Sequence, residues 1–88
     1  MKIEKQSNDV FKVTVSGPSI TQHEVTVTDS THQDLTNGQA TKEELLDFSF
    51  KFLLDREPNT SILSSFEIMV IAQYFHEYPS KVREWCAK

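Results

Sequence analysis

The chain has 88 residues, enough for one hydrophobic core and too few for two. Apolar residues make up 38% and charged residues 25%, the balance of a globular domain rather than a disordered segment. Thirteen acids against nine bases give a formal charge of −4, which opposes a general affinity for polyphosphate.

No apolar run approaches the roughly 20 residues of a membrane span, so no membrane role is expected. The opening Met1-Lys2-Ile3-Glu4-Lys5 lacks the apolar stretch of a signal peptide. Cys86 is the single cysteine, so no disulfide can form within the chain, and a reducing, cytoplasmic setting is expected.

The first third reads as strands. Phe11, Val13 and Val15 alternate with Lys12, Thr14 and Ser16, the period of two that half-buries a strand. Gly17-Pro18 breaks the run. His23, Val25 and Val27 then alternate with Glu24, Thr26 and Thr28, and the short gap makes a hairpin the economical connection. Lys2 to Lys5 add a third strand if the chain turns at Ser7-Asn8-Asp9; two strands alone are marginal in water. Residues 29–40 are polar and rich in turn formers, and read as a loop in which Leu35 anchors at most a helical turn.

The strongest local signal begins at Thr41. Thr41-Lys42-Glu43-Glu44 matches a capping box, in which Thr41 accepts from the Glu44 amide and Glu44 reaches back. Leu45, Leu46, Phe48, Phe50, Phe52, Leu53 and Leu54 follow. At 100° per residue they sweep an arc of roughly 240°, with Ser49 the one polar residue inside it, so the helix must be covered on two sides. Pro58 ends it, which sets a central helix over 41–57. Ser64 to Glu67 offers a second capping box, and the apolar run to Phe75 predicts a helix from about Glu67 to His76. Pro79 suits the first turn of a last helix, with Val82 and Trp85 inward and Lys81, Arg83 and Glu84 outward.

The expected fold is therefore α+β, one domain over 1–88. It has a two- or three-stranded antiparallel sheet in 1–28, a loop in 29–40, the central helix, and further helices in 60–88. About three helices pack on one face. Seven large apolar residues around one helix in so short a chain also suggest a homodimer that buries part of the ring.

From Glu44 the wording Glu44-Leu45-Leu46-Asp47-Phe48-Ser49-Phe50-Lys51-Phe52-Leu53-Leu54-Asp55-Arg56-Glu57-Pro58 continues to Phe66-Glu67-Ile68, Tyr74-Phe75 and Glu77-Tyr78. It resembles a family of small, uncharacterised bacterial proteins with an N-terminal strand pair and a Leu-Leu-x-Arg-Glu-Pro helix signature. The resemblance implies architecture and a bacterial, cytosolic setting, with no assigned activity and no site residues. A second similarity follows the order of a ribbon-helix-helix DNA-binding unit: strand Glu24 to Thr28, a polar segment, and a capped helix at Thr41. Its groove-facing positions would be Glu24, Thr26 and Thr28, where an acid meets phosphate and no Arg or Lys stands to read bases. Nucleic acid is a poor partner on that count.

Chemistry-bearing residues are sparse. His23, His32 and His76 lack the paired spacing of a zinc site, and a satisfied imidazole on the strand's apolar face explains His23, so no metal is expected. Asp29, Ser30 and His32 share one loop, where triad geometry is rarely reached. Cys86 sits in the last turn of the chain, and two glycines cannot make a phosphate-cradling loop. Arg56 suits the negative end of its helix and can bridge to Glu67 or Glu77. The Thr-rich strand face is the wet side of a sheet, or else an edge open to strand addition. The expectation is a non-enzymatic protein-interaction or accessory module without catalytic residues, cofactor or metal. An apolar surplus in Tyr74, Phe75, Tyr78 and Trp85 motivates that expectation, with Tyr74, Tyr78 and Trp85 as the interaction surface. The alternative is the ribbon-helix-helix-like regulator.

Overall fold

The computed structural model describes residues 1–87. Three strands form an antiparallel meander, β1 (Lys2–Lys5), β2 (Val10–Val15) and β3 (Thr21–Thr26). The register sets Ile3, Val13 and His23 in one row and Lys5, Phe11 and Val25 in another. Phe11, Val13, Val15, His23 and Val25 are buried, while Lys12, Gln22 and Glu24 stand on the open face, so the alternation decides which side is covered. The outer strand β1 carries Lys2, Glu4 and Lys5, charges that discourage edge-to-edge pairing.

The loop expected over 29–40 is corrected: most of it is a helix, α1 (Asp29–Thr36). Thr28 Oγ1 accepts from the Thr31 amide at 3.2 Å, and Asp29 occupies the first turn. Asn37, in the left-handed region at φ 54°, returns its amide to the Gln33 carbonyl, and Gly38 at φ 76° carries the chain away. Leu35 is the buried anchor.

The central helix α2 (Lys42–Leu54) starts on its capping box. Thr41 Oγ1 accepts from the Glu44 amide at 3.0 Å, and the Thr41 amide donates to Glu44 Oε1 at 2.9 Å. It stops three residues short of the expected Glu57, because the Leu53 carbonyl takes the amides of both Arg56 and Glu57. Leu45, Leu46, Phe50, Phe52 and Leu53 are buried, Phe48 is half-buried, and Leu54 lies at the margin, 37% exposed. The wide apolar arc is covered within one chain, so burying it does not require a second copy.

Beyond Pro58 a single 3-10 turn, Asn59–Ser61, leads into β4 (Ser65–Glu67). β4 lies parallel to β3, with the Glu24 amide on the Ser64 carbonyl at 2.8 Å and the Ile68 amide on the Thr26 carbonyl at 2.9 Å. The sheet therefore has four strands in the order β1-β2-β3-β4 and is mixed, where two or three antiparallel strands were expected. The helix expected from Glu67 to His76 is also corrected. Ser64 to Ile68 satisfy the outer edge of β3, and only α3 (Val70–Tyr74) is helical. Glu67 does not complete a box with Ser64; its carboxylate accepts from the Met69 amide at 3.1 Å.

The last helix, α4 (Tyr78–Cys86), has Pro79 in its first turn. It turns Val82 inward, half-buries Trp85, and exposes Lys81, Arg83 and Glu84. Lys88, the end of the range expected for the C-terminal helices, lies outside the described residues.

With β3 bonded on both edges, no edge remains for the two-chain ribbon of a ribbon-helix-helix unit. Thr28, one of its groove-facing positions, is committed to capping α1. Among the described residues, no helix is long and apolar enough to cross a membrane.

Candidate functional site

A buried polar relay fixes the segment after Pro58 against the sheet. Asn59 is buried, and its Nδ2 donates to the Ser19 carbonyl and to Thr21 Oγ1, each at 2.9 Å. Thr21 Oγ1 lies 2.8 Å from His23 Nε2, and His23 Nδ1 lies 2.7 Å from the Leu63 carbonyl. A carbonyl only accepts, so Nδ1 carries a proton, and in the neutral ring Nε2 accepts from the Thr21 hydroxyl. Gly17 leaves room for this arrangement: a Cβ there would stand 3.1 Å from Asn59 Oδ1. Residues 59–63 are thus held to the β2–β3 hairpin, and that position makes them one wall of a groove.

The groove has a volume of about 320 Å³ and lies between the end of α2, β4 and α3. Leu53 of α2, Ile62, Phe66 of β4, and Val70, Ile71 and Phe75 make its floor and sides. Its mouth holds Leu63, 47% exposed, Tyr74, 68% exposed, and Glu57. Leu63 and Tyr74 are apolar side chains that water reaches, as it does Met1, Ile20 and Leu54, none of which lines the groove. An apolar recess with few polar groups is the usual form of a binding site.

The charge at the mouth is negative. Arg56, next in the chain to Glu57, does not line the groove, although its guanidinium lies 5.8 Å from the centroid of the Phe75 ring in the groove wall. Its guanidinium lies over the Phe52 ring at 3.6 Å, donates to the Phe52 carbonyl at 2.9 Å, and reaches Glu77 at 3.6 Å. The bridge to Glu77, one of two expected, is the one that forms. Among the described residues no cation pairs with Glu57.

The three aromatic residues expected to share a surface are separated. Tyr74 lines the groove. Tyr78 is fully buried, a correction to its expected place on the interaction surface, because its hydroxyl reaches Ser49 inside the core. Ser49 donates to the Leu45 carbonyl at 2.6 Å, so Tyr78 is the donor to Ser49. Burial pushes the Tyr78 hydroxyl well above its ordinary ionisation range. Trp85 stacks on Phe48, with ring centroids 4.8 Å apart and planes 16° from parallel, and so closes the last part of the α2 arc. Phe75 packs edge-on against Phe52 and belongs to the groove wall. Leu63, Phe66 and Val70 were not singled out in the sequence, since a helix over 67–76 would not have placed them beside Leu53.

The remaining chemistry-bearing groups serve the fold. His32 donates from Nε2 to the Ala40 carbonyl. Asp29 pairs with Lys42 at 2.8 Å, and the hydrogen bond from Lys42 holds its carboxyl below the usual range. Lys42 also reaches Asp9 at 3.2 Å and the Asn8 carbonyl at 2.9 Å, tying α2 to the β1–β2 turn. Cys86 is half-buried beside a polar cleft with Asp34 and Arg83; burial and then Glu44 push its thiol up, away from the reactive thiolate. Among the described residues no three His, Cys, Asp or Glu side chains come together as a metal site would need. No family model, curated protein or solved structure matches this chain.

Proposed function

We propose that the protein is a cytoplasmic, non-enzymatic interaction module that docks a partner protein segment in the groove between α2, β4 and α3. The observation that carries this reading is the exposure of Leu63 and Tyr74 at the mouth of an apolar recess. Leaving such side chains in water costs a domain solubility, and a partner that covers them recovers the hydrophobic free energy. Two further facts support it. His23, Ser49 and Tyr78 are each committed to internal hydrogen bonds, which leaves no poised nucleophile and base among them. The single thiol of Cys86 suits a reducing compartment.

The test is a titration of the isotope-labelled protein with the neutral peptide acetyl-Ser-Leu-Trp-Ser-amide, followed by amide chemical shifts. Shifts confined to Leu53, Leu63, Phe66 and Tyr74, and lost in Leu63→Ser and Tyr74→Ser, are the expected result. Both substitutions fall on exposed side chains and should leave the fold intact. A peptide that shifts nothing, or shifts only the open sheet face, overturns the proposal.

A further inference from the structure

Resting on that reading, we infer that the groove selects a segment whose apolar anchor is flanked by Lys or Arg. Charge carries the argument. Glu57 stands half-buried at the mouth without a cation, and the floor and sides contribute no charge of either sign. Between Asp55 and Glu77 the chain holds Asp55, Glu57, Glu67 and Glu77 against one Lys or Arg, Arg56, and one histidine, His76. Arg56 lies over the Phe52 and Phe75 rings, donates to the Phe52 carbonyl and pairs with Glu77, which leaves Glu57 as the one charged side chain among those that line the groove. A basic flank meets Glu57 beside apolar walls, where the ion pair is less screened than on an open surface. An acidic flank meets it with the same sign.

The same reasoning opposes a second copy of this chain as the occupant. A two-fold contact through the groove would bring one acidic mouth against another. A basic partner segment is complementary in both respects: its anchor fills the recess and its cation answers Glu57.

Three peptides decide the matter by amide-shift titration: acetyl-Ser-Leu-Trp-Ser-amide and its Lys-flanked and Glu-flanked counterparts. The Lys-flanked peptide should bind about fivefold more tightly than the Ser-flanked one at low ionic strength. The advantage should vanish near about 1 M salt and shrink in Glu57→Gln. Equal affinity for all three, or no change in Glu57→Gln, overturns the inference while leaving the groove as a docking site. Failure of all three overturns the inference and the docking proposal together. A Lys-flanked peptide that shifts only the open sheet face refutes the assignment to Glu57.

Discussion

Removing the Ser49 hydroxyl tests the core most sharply, because its partner is left behind. Ser49 and Tyr78 are both fully buried, and Ser49 spends its one proton on the Leu45 carbonyl. In Ser49→Ala the Tyr78 hydroxyl keeps its proton and loses its acceptor, a desolvation penalty of about 1–3 kcal/mol. Alanine returns roughly 0.5 kcal/mol through its better helix propensity, so the net loss should be about 0.5–2.5 kcal/mol. Tyr78→Phe is milder. Ser49 still donates to Leu45, and one bond is lost at about 0.5–1.5 kcal/mol. In the double variant no hydroxyl is left unpaired, and the lost Ser49–Leu45 bond is offset in part by the helix propensity of alanine, so it should lie within about 1 kcal/mol of Tyr78→Phe alone. Urea unfolding followed by Trp85 fluorescence measures all four proteins, with unchanged m-values as the check that unfolding stays two-state. Singles that add within about 0.5 kcal/mol in the double variant would show that the two hydroxyls do not act as a pair.

Alkaline pH reads the burial of the same hydroxyl. The folded state holds the Tyr78 proton more tightly than the unfolded chain does. Its contribution is therefore complete below about pH 10 and is lost as pH rises further, by up to about 1.4 kcal/mol per unit, a slope that Tyr78→Phe should flatten in urea titrations. Asn59→Ala removes two 2.9 Å bonds and opens a small void, and should cost about 2–3 kcal/mol, or roughly 10–20 °C in Tm by calorimetry. Gly17→Ala should cost about 1 kcal/mol by crowding Asn59 Oδ1 and should cost less in the Asn59→Ala background, which a thermal double-mutant cycle will show. On the acid side, Asp29 is held below its usual range by Lys42, so its contribution is present above about pH 4 and fades as pH falls through the folded value. Lys42→Met should flatten that limb of the acid-unfolding curve.

Much of the architecture can be read from the chain. The alternation through Phe11–Val15 and His23–Val27 marks two strands and their inner faces, and the capping box at Thr41 marks the start of α2. The signals for α1 are also in the sequence, in Thr28, Asp29 and Asn37-Gly38. They were outweighed there by the polar composition of a segment whose one large apolar residue is Leu35. The groove was less legible. Tyr74 is on the expected interaction surface, but Leu63, Phe66 and Val70 join it only once β4 has formed, and Tyr78 points instead to Ser49 in the core.

By itself, then, the sequence determined the features that depend on neighbours within about one turn or one strand: periodicity, caps and breaks. Tertiary structure alone decided that Ser65–Glu67 is a strand and that His23 is satisfied by a carbonyl 40 residues away. It also decided which aromatic side chain meets water. A three-residue segment has too little period to declare itself, and its conformation follows from the unpaired edge of β3 that it completes. The groove inherits that dependence, since its walls come from parts of the chain that only folding brings together.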